Sequence, residues 1–235
     1  MKHILITGST DGIGKLLALR LAKEGHFVGV HGRTDAKLKT TVTEIKAESK
    51  NDNVVGFLAD FSNLSEFKQM AKEVAEKMPK IDVLVNNAGV LKAKTDTASN
   101  GVDVRLTVNY LAPYQFTNAV LSLLKKADAP RIVNLSSAAQ SPVSLGALKG
   151  EMNLGANDAY AQSKLALTMW SFDLAKKEPS ILVVAVNPGS LLNTKMANEA
   201  YGQHWSPAEK GVDILYDLSM TDKAKTNAYF DNDKG

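Results

Sequence analysis

Short apolar runs alternate with segments of helical spacing along the whole chain. The runs at 3–7, 27–30, 53–58, 83–85, 131–135, 181–186 and 227–230 are largely Val, Ile, Leu and Phe, with no polar alternation. Such runs predict strands buried on both faces, as in a parallel sheet. The segments 13–23, 35–49, 64–78, 101–125, 158–177 and 207–217 read as helices, the first through Leu16, Leu17, Leu19 and Leu21. Strand–helix alternation predicts βαβ units with right-handed crossovers, hence an α/β fold with helices on both faces of a doubly wound sheet. Two stretches, 139–155 and 191–206, carry no period; loops this long in a compact domain are usually functional. No linker, composition shift or repeat divides the chain, so one domain is expected over 1–235.

Composition narrows the function classes. Forty-four per cent apolar and 23% charged residues are ordinary globular values. The net charge of +3, with scattered lysines, gives no reason to expect a nucleic-acid partner. Cysteine is absent and the four His are scattered, so no metal site is expected. No apolar run approaches a membrane span, and the first residues do not read as a signal peptide. The expectation is a soluble cytoplasmic protein with no membrane partner.

Candidate chemistry lies at the C-terminal ends of the strands, where open α/β sheets bind ligands. The first strand runs into Thr7-Gly8-Ser9-Thr10-Asp11-Gly12-Ile13-Gly14 and then a helix. Strand, glycine turn and helix N-terminus are what a pyrophosphate needs: close backbone approach, free N–H groups and a partial positive charge. The next strand ends are His31-Gly32-Arg33, Ala59-Asp60-Phe61, Asn86-Asn87-Ala88-Gly89, Ser136-Ser137 and Asn187-Pro188-Gly189. Tyr160 and Lys164 stand four residues apart in the fifth helix, on one face. A cation near a phenol stabilises the phenolate, which suits proton exchange with an alcohol or carbonyl. That pair alone is common in a lysine-rich chain; its company makes it informative.

Together, in this order, the pieces resemble the classical short-chain dehydrogenase/reductase family. They are Thr7-Gly8-x3-Gly12-Ile13-Gly14, Asp60, Asn86-Asn87-Ala88-Gly89, Asn109, Ser137, Tyr160-x3-Lys164 and Asn187-Pro188-Gly189, and they span nearly the whole chain. The resemblance implies a Rossmann fold with seven strands in the order 3-2-1-4-5-6-7. It implies Tyr160 as general acid or base, Lys164 on the nicotinamide ribose, Ser137 on the substrate oxygen and Asn109 supporting a water relay to Lys164. It places the cofactor against Thr7, Gly8, Ser9, Thr10, Gly12, Ile13, Gly14, Asp60, Phe61, Asn87, Ala88, Gly89, Pro188, Gly189 and Thr194, with Asp60 at the adenine.

Three departures stand out. Ser137 and Tyr160 are 23 positions apart (160 − 137), longer than the commonest family spacing, as in the retinol-dehydrogenase-like branch. The nicotinamide contact after Gly189 falls on Asn193 or Thr194. Asp11 stands where some NADP-preferring members carry a base.

The second strand end bears on the cofactor. An acidic residue there would bind the ribose hydroxyls of NAD; this chain has Gly32 and then Arg33, which can take a 2′-phosphate bidentately, with Lys37 one turn on. NADP(H) is expected, although Asp11 and Asp35 argue the other way. The expected substrate is a small carbonyl or alcohol, with 91–100, 138–155 and 190–206 shaping its pocket; Val143, Leu145, Leu148, Met152, Leu154, Met196, Tyr201 and Trp205 suggest an apolar lining, with buried packing an equal explanation. A non-catalytic NADP-binding regulator on the same fold is the competing class; such proteins usually lose the Tyr or the Lys. Apolar residues beyond one stripe on 101–125 (Val102, Val104, Leu106, Val108) and on 158–177 (Ala166, Leu167, Met169, Trp170, Phe172) predict a homodimer or homotetramer. A mobile or incomplete C-terminus beyond the last strand is a further expectation.

Overall fold

The computed structural model describes residues 1–203 and 206–234; His204, Trp205, Gly235 and the side chain of Tyr201 lie outside the described residues. Seven parallel strands form one sheet in the order β3-β2-β1-β4-β5-β6-β7. The chain runs β1 (His3–Ile6), α1 (Gly12–Lys23), β2 (Phe27–Gly32), α2 (Asp35–Ser49), β3 (Val54–Leu58), α3 (Leu64–Lys77) and β4 (Val83–Asn86). It continues through α4 (Val104–Leu106), a π-helical turn (Thr107–Leu111), α5 (Ala112–Leu124) and β5 (Arg131–Leu135). Then come α6 (Leu145–Leu148), α7 (Ala156–Lys177), β6 (Leu182–Asn187), α8 (Lys195–Tyr201), α9 (Ala208–Met220) and β7 (Ala228–Asp231).

The sheet is buried on both sides because its strands are apolar on both sides. Ile4, Ile6, Val83, Val85, Val133 and Val184 meet α1, α2 and α9 through Leu17, Leu21, Ile45 and Leu215. Leu5, Leu84, Ile132 and Val183 turn the other way, towards Phe67, Met70, Phe116, Leu167 and Leu174 of α3, α5 and α7. Truncating one of these fully buried aliphatic side chains to Ala costs about 2–5 kcal/mol. A small third cluster joins Val102, Leu106 and Ala147, with Leu148 and Leu154 packed on it.

Several boundaries differ from the sequence expectation. The helix expected over 101–125 begins only at Val104, because Gly101 has φ +78° and Asp103 caps the helix by accepting the Arg105 N–H. It also contains the π turn: the Ala112 N–H reaches the Thr107 carbonyl, five residues back. Pro113 has no N–H for the Asn109 carbonyl, so the ladder is locally open where Asn109 sits. The stretches 139–155 and 191–206 each contain a short helix, α6 and α8, too brief for periodicity to reveal. β2 and β6 run to Gly32 and Asn187, so the polar residues at those ends still belong to the sheet.

Candidate active site

The glycine turn is built against the end of β4. Gly8 has φ +63°, and a Cβ there would lie 2.6 Å from the Ala88 Cα. Only glycine fits that contact. Thr7 fixes the same approach, its hydroxyl accepting the N–H groups of Asn87 and Ala88, both at 3.0 Å. The Asn87 amide donates to the carbonyls of Thr7 and Gly8, both at 2.8 Å. Asp11 caps α1 by accepting the Gly12 N–H at 2.8 Å, and other first-turn N–H groups have no partner within the helix. The structure thus brings Thr7, Gly8, Gly14, Asn87 and Ala88 into one cradle of the kind a pyrophosphate requires.

His31 completes the cradle, a contribution that sequence reasoning missed. Its Nδ1 accepts the Gly8 N–H at 2.9 Å, so Nε2 carries the proton and donates to the Ala59 carbonyl at 3.0 Å. Its backbone N–H donates to Ser9 Oγ at 3.0 Å, and its ring stacks on Phe61 at 4.4 Å. One imidazole therefore ties the ends of β1, β2 and β3. Burial holds its pKa down to about 4, outweighing the hydrogen bond to Ala59 and the Asp60 charge. The signal was present: a polar residue ends an otherwise apolar strand.

At the far end of β2, Arg33 is exposed and makes no hydrogen bond or ion pair among the described residues. Lys37 is less available than expected, because it pairs with Asp11 at 2.5 Å. Burial raises the Asp11 pKa, but Lys37 and the Gly12 N–H outweigh it and the net shift is downward. Asp60 turns back on its own loop, accepting the Ser62 N–H and hydroxyl at 2.9 and 2.8 Å. Asn63 caps α3.

Lys164 is buried, and its ammonium donates to the Leu135 carbonyl at 2.7 Å. Burial lowers its pKa to about 8. Its Nζ lies 5.5 Å from the centre of the Tyr160 ring, confirming the shared face. Lys164 Nζ and Asn109 Oδ1 lie 3.7 and 3.5 Å from where a Cβ on Gly89 would stand. Asn109 bridges elements: its amide donates to the Val90 carbonyl and to Ser163 Oγ, and its oxygen accepts the Val90 N–H. Ser163 in turn donates to the Tyr160 carbonyl at 2.6 Å. Gly89, Asn109, Tyr160 and Lys164 thus converge.

The two serines after β5 differ. Ser136 is buried against α7, bonded to the Lys164 carbonyl at 3.1 Å and to Thr168 Oγ1 at 2.7 Å. Ser137 is half-buried, two residues past the carbonyl that holds Lys164, and among the described residues its hydroxyl accepts only the Ala139 N–H. Its own carbonyl accepts the Tyr229 hydroxyl at 3.0 Å. After β6, the Thr194 hydroxyl caps α8 while its methyl stands 3.7 Å from a Cβ position on Gly12. Met196 lies equally close to Gly89. Asn193, the other candidate, accepts the Asn198 amide at 3.2 Å. Of the expected pocket residues, Leu148 and Leu154 pack into the third cluster, whereas Leu145 and Met152 are exposed. The 91–100 segment is fastened by Arg105, which donates to the Leu91 carbonyl, Asp96 and Asp103.

The short chain dehydrogenase family profile matches residues 2–204. The chain belongs to that family. It falls with the classical, retinol-dehydrogenase-like members: it is 31% identical to human polyprenol dehydrogenase over 207 residues, 84% of this chain and 62% of that protein. It is 33% identical to mouse retinol dehydrogenase 13 over 193 residues, 80% of this chain and 58% of that protein. The chain thus spans about three-fifths of the length of these relatives. A short chain dehydrogenase from Escherichia coli CFT073 complexed with NADPH superposes with a TM-score of 0.81 at 28% identity, covering 98% of this chain and 96% of that one. The family is one of oxidoreductases that use a nicotinamide cofactor. No described helix is long and apolar enough to cross a membrane.

Proposed function

We propose that this chain is an NADP(H)-dependent oxidoreductase that moves hydride between the nicotinamide and the carbon of a carbonyl or alcohol. The observation that carries the reading is Lys164: a buried ammonium with no carboxylate partner among the described residues, 5.5 Å from the Tyr160 ring. Holding an ion so costs stability, and groups kept at such a cost cluster at functional sites. The cradle around Gly8, closed to any Cβ, fits a dinucleotide, and Arg33, exposed and without a partner among the described residues, is available for a 2′-phosphate. The NADPH complex of the E. coli relative supports the same choice.

A bound nicotinamide supplies or accepts the hydride. Tyr160 gives its phenolic proton to the substrate oxygen in reduction and takes it back in oxidation. Lys164 holds the ribose and stabilises the phenolate by its charge. Ser137, not Ser136, donates to the substrate oxygen as charge develops there. Asn109 links Val90, beyond β4, to Ser163 of α7 and supports a proton route to Lys164. Leu145 and Met152, with the names of the retinol and polyprenol dehydrogenase relatives, favour an alcohol or aldehyde on an apolar chain.

The test is turnover with NADPH and NADH on a panel of aldehydes, ketones, quinones, steroids and prenols. Tyr160→Phe should abolish turnover and leave NADPH affinity nearly intact. Ser137→Ala should lower kcat about 10²–10³-fold, and Ser136→Ala far less. Arg33→Ala should weaken NADPH by roughly tenfold or more and spare NADH. Turnover that survives Tyr160→Phe, or equal affinity of the unmodified protein for both cofactors, rejects the corresponding assignment.

A further inference from the structure

The segment that follows β7 is fastened to the turn that follows β6. The Asp233 carboxylate accepts the Ser190 N–H at 3.0 Å, the Ser190 hydroxyl at 2.5 Å, the Asn187 amide at 3.0 Å and Lys210 Nζ at 3.2 Å. Asn232 donates to the Pro188 carbonyl at 2.9 Å and to the Lys210 carbonyl at 3.2 Å. Asp231 takes a second bond from the Asn187 amide at 2.8 Å. Between these anchors lies Gly189 at φ +126°, with Asp233 Oδ1 3.7 Å from where its Cβ would stand. The turn is therefore held along most of its length by side chains more than forty positions later.

Geometry gives this clamp a purpose. The glycine turn after β1 receives the pyrophosphate, and Arg33 after β2 marks the adenosine side. A dinucleotide laid across the sheet must then place its nicotinamide towards β4, β5 and β6, beside Lys164 and Tyr160. The turn after β6 borders that half of the sheet. It leads through Leu192, which packs on Gly211 of α9, to Thr194 and Met196 against Gly12 and Gly89. A shift at Ser190 would carry into those contacts.

We infer that Asp233, helped by Asn232, is a positioning residue that fixes the Pro188–Gly189–Ser190 turn for the nicotinamide half of the cofactor. The inference rests on the nicotinamide-dependent reading above. It predicts a split between the two halves of the ligand. In the intact chain, affinities for NADPH and for 2′,5′-ADP, which lacks the nicotinamide, are measured by titration for the unmodified protein, Asp233→Ala, Asp233→Asn and Asn232→Ala. Asp233→Ala should weaken NADPH about fivefold or more while 2′,5′-ADP stays within about twofold. Asn232→Ala should show the same pattern more weakly, and Asp233→Asn, which keeps an acceptor for the Ser190 N–H, should recover part of the loss.

Equal weakening of both ligands, or none for either, would overturn the inference in favour of a purely structural clamp. Should Asp233→Ala fail to fold, Asn232→Ala and Asp233→Asn decide by the same ratio. An unmodified protein that binds 2′,5′-ADP but gains nothing from the nicotinamide would instead sink the functional reading, and the inference with it.

Discussion

The Lys164 ammonium is enclosed by protein, donates to the Leu135 carbonyl and faces no carboxylate among the described residues. With the pKa lowered from 10.5 to about 8, the folded state binds fewer protons than the unfolded chain between those values. Stability linked to this group is therefore lowest below pH 8 and rises as pH climbs from 8 to 10.5. Lys164→Met should remove the buried charge at the expense of the Leu135 bond. At pH 7, without cofactor, the variant should be more stable by on the order of 2 kcal/mol, and inactive. The gain should shrink above pH 8. Thermal melts at pH 7 and 9.5 check it; a lower midpoint than the parent's at pH 7 would refute the buried-charge account. At this scale the Tyr160–Lys164 pair was legible because helix geometry alone puts i and i+4 together. The distinction between Ser136 and Ser137 was not derivable from spacing: it depends on which hydroxyl meets Thr168, a contact across 32 positions. Asp233 escaped notice for a similar reason, since its partners lie on other elements.

Strand ends carry the site, and their side chains join them. His31 is the fastener for β1, β2 and β3, and it works only as a neutral ring, because protonated Nδ1 cannot accept the Gly8 N–H. Its folded pKa of about 4 lies below the ordinary 6.5. The stability it contributes is complete above pH 6.5 and is lost as pH falls towards 4. Melting midpoints should therefore drop through that window, and the drop should be shallower in His31→Asn. The Asn variant should also bind cofactor less tightly at pH 7.5, since the glycine turn loses its support. An unchanged pH slope in His31→Asn would show that another group sets the acid sensitivity. Apolar runs made the seven strands legible, and capping residues such as Asn63 set helix starts. The π turn at Thr107–Leu111 was invisible to periodicity, because it adds one residue to a ladder whose apolar pattern continues. Pro113 was the local sign of it.

For the whole molecule, the expected oligomer needs a new basis. Val102, Val104 and Leu106, read from the sequence as surplus apolar residues, are buried inside this chain, as are Ala166, Leu167 and Trp170. Val102 and Leu106 pack with Ala147 of α6, whereas Leu167 and Trp170 belong to the core that α5 and α7 share with the sheet, which a helix-by-helix reading cannot foresee. What remains uncovered is narrower: Tyr114 on α5 is 40% exposed and Met169 on α7 is 57% exposed. Tyr114 packs edge-on against Trp170 and lies 6.2 Å from Tyr110, so an aromatic strip joins the two helices. Asp173 and Lys177 form an exposed pair further along α7. A strip of aromatic and Met residues with a charged rim has the composition of an interface core. Two copies related by a twofold axis would pair α5 and α7 with themselves. Met169→Asp places a charge on the exposed side of α7, one residue before Trp170, without touching Tyr160 or Lys164, which lie on earlier turns of α7. Sedimentation at micromolar concentration should show a dimer or tetramer for the parent and monomer for Met169→Asp, with NADPH affinity largely retained. A monomeric parent would rule out the oligomer, and an unchanged assembly in the variant would move the interface to another face.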